Sequence, residues 1–434
     1  MVKVSPFKGI TYNKEKIEKL DYVMSPPYDI ISPELQKELY KKSPYNFVRL
    51  ILGEHHPKDN NKNNRYIRAK KQFDKWLEEL ILTESNKKAI FPYKIEYKVN
   101  NQSKTMNGFF ILLKLDPDYE LVRAHERTLS KPKEDRLNLI KSCKANLEPI
   151  QLLYIDEKDE IRKKIDKTLN EPIINIKGYD GFTHKLWKLE DENVHSMIKK
   201  YLEDEILFIA DGHHRYQTAI NYANEMKEKT GKLDEDEPFN YRMVILANMF
   251  DKGISILPTH RLIKKSIINI KDLLNSLEKF FNINEVTVEN KNYDLILKII
   301  KEELKTNTEH KFVMYVKGKC YILKLKDEKY MNEFASEHSR TWQTLDVSIL
   351  HKIILEHLMD INQNNIEDHV NYTRVDEEAI RFVDEGRYDL SFLMNATKIE
   401  ELETIANAGE HMPQKSTYFL PKMLSGLVVY KMKI

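Results

Sequence analysis

The chain has 434 residues, 41% of them apolar and 32% charged, which supplies a sizeable core and excludes a disordered chain. Its 70 Lys and Arg face 68 Asp and Glu, and a formal charge of +2 excludes polyanion binding through overall charge. Cys143 and Cys320 offer neither a disulfide framework nor a zinc spacing, and no apolar run approaches the ~18 residues of a membrane span. The opening MVKVSPFKGITY has no signal-peptide pattern, so the expected setting is the reducing cytoplasm, with no membrane partner. Nucleic acid is not an expected partner either, and the sequence is silent on oligomeric state.

In chain order, two consecutive prolines, Pro26 and Pro27, exclude helix from YVMSPPYDII and make a rigid turn carrying Tyr28 and Asp29. Ser32 then reads as an N-cap with Pro33 at the first helical position, and the helix through Leu35 and Leu39 stops before Pro44. Tyr66, Phe73, Trp76 and Leu80 fall at helical spacing within residues 60–82. Alternating runs across residues 89–115, broken at Asn100-Asn101, predict a hairpin. Next come a charged and hydroxyl-rich stretch at 121–146, a buried strand at 149–155 and a helix at 157–168. A strand at 182–189 and a helix at 191–202 follow. An apolar strand at 206–209 then leads through Asp211-Gly212 into a helix from His213 to Met226, and 241–249 is again strand-like. This alternation predicts an α/β core, mixed α+β in detail. Beyond Lys264 the pattern changes to helix 270–281, strand 282–288, helix 294–303 and a hairpin across 311–325. After that come a helix from Leu345 to about Met359 and two closing strands at 416–421 and 425–430. The expected division is 1–265, a small α+β unit at 266–330, and a C-terminal segment at 331–434 that folds back.

The strongest chemical signal is ILFIADGHHRYQTA, residues 206–219. A helix start presents unsatisfied N–H groups and the positive end of the helix dipole, which suits an anion. Gly212 admits close approach of a phosphate, Arg215 can fork onto two oxygens, and Asp211 could hold a magnesium ion. The plainer reading is that Asp211 caps the helix and the histidines satisfy a turn. A second signal is Ala124-His125-Glu126-Arg127-Thr128, with Lys131, Lys133 and Arg136 following. Here His125 and Glu126 suit acid/base work while Arg127 and Arg136 clamp phosphate; otherwise the run is a solvated charged loop. Tyr28 and Asp29, then Thr259, His260 and Arg261, then the polar cluster 412–419 complete the candidates. Each of these also reads as an ordinary turn or pocket edge. Lys415-Ser416-Thr417 lacks the glycines of a Walker loop, no G-x-G-x-x-G opens a helix, and no G-x-S-x-G elbow occurs.

Taken in order, PPYD, HERT, ADGHHRY, PTHR and the 413–419 cluster resemble DUF1015, a family of unknown function, from about Val4 to Gly426. The ADGHHR run is similar to the nucleotide box of the ParB/sulfiredoxin superfamily and of its free-serine kinases. That resemblance implies a ParB/sulfiredoxin-like core and a magnesium-dependent phosphotransferase. Its nucleotide would be ADP or ATP, and its substrate a small hydroxyl molecule, free L-serine above all, converted to O-phosphoserine. Gly212, His213, His214 and Arg215 would hold the nucleotide with Arg127 and Arg136 assisting, and Asp211 would hold the metal. Glu126 is the first expectation for the base and Asp29 the second, with His125 beside them; the reading brings Glu126 and Arg215 into one pocket. Two other expectations stand beside it. One is a non-enzymatic ParB-like nucleotide sensor or DNA-associated regulator. The other is a metal-dependent hydrolase built on His125, Glu126, His213 and His214.

Overall fold

The computed structural model describes all residues except 100–101, 127–129, 233, 265–268, 288–292 and 306–308. The chain forms two compact units. The first joins Met1–Ala124, Thr128–Ser255 and Pro421–Ile434; the second is mainly Ile256–Leu420 with the short segment from His125. The fold is mixed α/β. Among the described residues no helix is long and apolar enough to cross a membrane.

The first unit is built on a nine-stranded mixed sheet. Its strands are β1 (Val4–Ser5), β2 (Phe91–Val99), β3 (Gln102–Lys114), β4 (Val122–Arg123), β5 (Ile150–Tyr154), β6 (Ile174–Lys177), β7 (Thr183–Leu186), β8 (Leu207–Asp211) and β9 (Tyr241–Asn248). Across the sheet the order is β4-β8-β5-β9-β3-β2-β7-β6, with β1 pairing β3 beyond the end of β2. The central strands alternate with period two between two cores. Phe110, Leu112, Met243 and Ile245 enter one, and Phe109, Ile111, Val244 and Leu246 the other. A sheet buried on both faces needs cover on both. The first core receives Phe73 and Trp76 of the helix Arg65–Glu78 and Leu424, Leu427 and Val428 of the C-terminal segment. The second receives Val194, Ile198 and Leu202 of the helix Glu192–Leu202, and Tyr216, Ala219 and Ile220 of the helix that follows β8.

Most expected elements form close to their predicted bounds. Ser32 caps the helix Pro33–Lys42, its side chain accepting from Leu35 N at 3.2 Å. The hairpin forms as β2 and β3, its Asn100-Asn101 turn lying outside the described residues. The charge-rich stretch after Thr128 folds as a helix, Ser130–Cys143, that periodicity did not announce.

In the second unit a six-stranded sheet combines His260–Ile263, Phe281–Thr287, Lys311–Val316, Lys319–Leu325, Val370–Thr373 and Leu390–Leu393. Leu390–Leu393 lies between Lys311–Val316 and His260–Ile263, so residues from 266–330 and from 331–434 share one sheet. The helices Tyr293–Leu304 and Asp376–Asp384 bury Ile296, Ile300, Ala379, Ile380 and Val383 in its core. The tail helix expected from Leu345 is α-helical over Asp346–Ile349 and continues as a π-helix over Leu350–Leu358.

Candidate functional site

In the first unit the site begins where β8 ends. The pairing of β8 with β5 shifts register between Ile209 and Asp211, an irregularity that re-aims the strand end. Gly212 follows at φ 98°, a conformation open to glycine, and the helix His213–Thr230 starts at the next residue. Gly212 brings no capping side chain to this first turn. His213 is buried within it, and His214 is half-buried.

Behind the turn lies a set of buried charges. Asp211 accepts from Arg215 Nη2 at 2.5 Å through Oδ2 and from Lys422 Nζ at 2.6 Å through Oδ1. Burial by itself would raise the Asp211 carboxyl, but the Lys422 and Arg215 cations outweigh it and hold the group well below the usual carboxylate range. Arg215 also donates to the Pro149 carbonyl. Its fork, expected to face phosphate, thus engages Asp211 and the chain before β5. Both Asp211 oxygens already hold side-chain cations, Oδ1 that of Lys422 and Oδ2 that of Arg215, an arrangement that does not suit a magnesium ion on this carboxylate.

Glu148 is the second centre. Its Oε1 accepts from Tyr28 N and Ser425 Oγ, each at 3.1 Å, and its Oε2 from Arg136 Nη1 at 3.2 Å. Arg136 also donates to Asp135 at 2.8 Å and to the Ile51 carbonyl at 2.8 Å, and its guanidinium sits 3.8 Å from the Tyr28 ring centroid. Arg242 Nη2 donates to the Glu148 carbonyl at 2.9 Å. Burial, then the like charge of Arg215, pushes Arg242 down to about 9. Asp29 stands exposed in the short turn Tyr28–Ile30, near enough for its charge to favour the protonated form of Arg215.

Of the residues expected from sequence, Asp29, Arg136, Asp211, Gly212, His213, His214 and Arg215 all belong to this unit. Sequence reasoning missed Glu148, Arg242, Lys422 and Ser425. Glu148-Pro149 ahead of an apolar strand was a weak signal for the first of them; for Lys422 and Ser425 no local signal exists.

His125 and Glu126 belong to the second unit. Fully buried His125 places Nε2 3.0 Å from Thr417 Oγ1, and Glu126 Oε1 accepts from Thr417 N at 3.3 Å and from its hydroxyl at 3.2 Å. Met412 N donates to the His125 carbonyl at 2.7 Å. Arg261 is fully buried there and donates to the carbonyls of Thr259 and Lys415, the latter at 3.3 Å, while burial lowers it to about 10. His260 Nε2 lies 2.8 Å from Asp376 Oδ1. Three expected motifs, at 125–126, 258–261 and 412–419, therefore meet within this unit. Arg127 lies outside the described residues. Among the described residues no group of three His, Cys, Asp or Glu side chains gathers as a metal set.

No curated protein sequence matches the chain. Among solved structures, a point mutant of free serine kinase in complex with ADP is 12% identical. The match covers 72% of this chain and 87% of that one, at a TM-score of 0.37. A conserved hypothetical protein from Pyrococcus furiosus is 13% identical over 72% of this chain and 90% of its own, at 0.33. SbnI with a C-terminal truncation, from Staphylococcus aureus, is 12% identical over 72% and 85%, at 0.35. A family profile described as protein of unknown function, DUF1015, matches residues 4–348.

Proposed function

This chain belongs to the DUF1015 family, and for it we propose a phosphotransferase that binds ADP or ATP at the Gly212–Arg215 turn and phosphorylates a small hydroxyl compound. The observation that carries the reading is the buried charge behind that turn. Arg136, Arg215, Arg242 and Lys422 are all buried there, and the carboxylates bonded to them are Asp135, Glu148 and Asp211. Surplus positive charge in a desolvated place is costly unless an anion answers it. The uncapped start of an 18-residue helix points the same way. The ADGHHR sequence resembles the nucleotide box of the ParB/sulfiredoxin superfamily, and we assign that type of core to the first unit.

Phosphoryl transfer asks chiefly for positioning and charge neutralisation. Gly212 lets phosphate oxygens approach the backbone of the first helical turn, and Lys422, held by Asp211, supplies a fixed cation. The acceptor hydroxyl oxygen bonds to the terminal phosphorus as the bond to the departing nucleotide phosphate breaks. The hydroxyl proton passes to a carboxylate. Asp29 is our choice for that base, because it shares a unit with the turn and its charge reaches Arg215. Glu126, the first expectation, is engaged with Thr417. Free L-serine is the proposed acceptor, on the strength of the sequence resemblance.

The test is calorimetry with ADP and ATP, with and without magnesium, followed by an assay of hydroxy amino acids for phosphorylated products. Micromolar nucleotide binding and O-phosphoserine formation are expected. Absence of nucleotide binding at millimolar concentration would remove the reading.

A further inference from the structure

At the margin of the first core the cover over the nine-stranded sheet gives out. Leu112 of β3 stands opposite Met243 of β9, and Tyr241, two residues earlier, lies on the same face. Met243 is sealed in the core, whereas Tyr241 packs against it and stays half-buried. Here the first unit has a groove of about 500 Å³, within the ~300–1,000 Å³ range of small-molecule pockets. Pro6, Phe7, Leu112, Pro238, Tyr241 and Tyr430 line it with rings and aliphatic carbon. None of its lining residues belongs to the Gly212–Arg215 turn or to the buried charges behind it.

The charged groups at this groove fall into two sets. Lys433 pairs with Glu84 at 2.9 Å, Lys431 with Asp74 at 3.3 Å, and Asp236 accepts from the Tyr241 hydroxyl at 2.8 Å. Lys8 and Lys88 also line the groove, are exposed, and have no carboxylate partner among the described residues. Phe7 and Ala89 form an antiparallel bridge, so Lys8 and Lys88, the next residue on one strand and the preceding one on the other, fall on the same side of it. Like charges brought together across such a pairing repel unless an anion answers them. Apolar floor and unanswered cations therefore meet in one concavity.

We propose that this groove binds a small amphipathic acid, its chain or ring on the apolar floor and its acid group at Lys8 and Lys88. Burial of the apolar body supplies affinity, and the two ammonium groups select for charge. A bilayer surface fits less well. Phe7 and Leu112 are 2% and 6% exposed, so they are reached by a molecule that enters the groove rather than by a surface laid across it. The proposal is independent of the phosphotransferase reading and shares no residue with it.

The experiment titrates octanoate, octanol and acetate separately into the full chain by calorimetry, each as monomer in solution. Saturable binding of octanoate is expected, with octanol, which keeps the chain and lacks the charge, and acetate, which keeps the charge and lacks the chain, each binding much more weakly. The double variant Lys8→Gln with Lys88→Gln should weaken octanoate binding about fivefold, as two exposed charge contacts allow. Lys16→Gln with Lys62→Gln, which removes two exposed lysines that do not line the groove, should leave it unchanged. A diazirine analogue of octanoate should label peptides covering residues 6–8, 236–241 or 430–433, and this arm decides the matter even if a variant fails to fold. Octanol binding as well as octanoate, equal affinity in the Lys8 and Lys88 variant, or label confined to other peptides overturns the proposal. So does co-sedimentation with phosphatidylglycerol vesicles when free octanoate gives no heat, which would assign the two lysines to a membrane surface.

Discussion

Lys422 Nζ lies 2.6 Å from Asp211 Oδ1, joining positions 211 residues apart in the chain. The two belong to one unit because the C-terminal segment returns to it after the second unit is complete. Its path is fixed by main-chain pairing of Ser425 with Ser25, Val429 with Ile10, and Tyr430–Lys431 with Ala145–Asn146. The central ion pair of the proposed site thus depends on the last fourteen residues docking correctly.

Lys422→Met should accordingly destabilise the chain by about 3 kcal/mol, because it leaves a buried carboxylate with one cation instead of two. The pH dependence gives a second readout. The Asp211 carboxyl is depressed in the folded state, so its contribution is present above the unfolded value of roughly 4 and is lost as pH falls through the folded value. Urea titrations between pH 7 and pH 3 should find a shallower acid loss in the variant. Equal stability of the two proteins at pH 7 would show that the pair contributes nothing.

Gly212→Ala meets two obstacles. The residue sits at φ 98°, and an added Cβ would come within 2.9 Å of Arg215 Nε. The strain is worth about 1–3 kcal/mol, and it should move Arg215 away from Asp211. Loss of ADP affinity is expected in calorimetry, together with a lower melting temperature. An alanine variant that binds ADP as the parent does would separate the turn from the nucleotide.

Asp29 and Glu126 can be told apart by isosteric amides. Asp29→Asn should lower turnover by about 10²–10⁴-fold with ADP affinity nearly intact, because it removes a proton acceptor and little binding. Glu126→Gln retains an oxygen that can accept from Thr417, so turnover within about threefold of wild type is expected if Asp29 is the base. The opposite pattern in a steady-state assay would transfer the role to Glu126.

The second unit carries its own pH response at His310. Burial alone would lower this imidazole, but the Asp346 carboxylate 2.7 Å from Nδ1 and Glu328 3.3 Å from Nε2 raise it. The stabilisation is fully present below the unfolded value of roughly 6.5 and disappears as pH rises through the higher folded value. Amide hydrogen exchange in residues 311–325, corrected for intrinsic rates, should report weaker protection at pH 8.5 than at pH 6. His310→Gln should remove that difference, and a difference that persists in the variant would exclude His310 as its source.

Several features are local enough for the sequence to determine. Ser32-Pro33 carries its own cap, the 206–219 run carries strand, glycine turn and helix start in succession, and the period-two runs of 91–114 announce a two-sided strand pair. Each is set by neighbours within a few residues, where propensity and patterning act. The helix Ser130–Cys143 was less legible, because its charges serve partners elsewhere: Asp135 meets Tyr66 at 2.7 Å, and Arg136 meets Glu148. Tertiary structure alone decided that Lys422 and Ser425 reach the residues around Asp211 and Glu148. It also placed Leu390–Leu393 between strands about 80 and about 130 residues earlier, and Thr417 against Glu126. Those contacts are paired by long loop closures whose cost grows only slowly with length. Nothing in the intervening residues records which partner will be met; the burial of a whole core selects it.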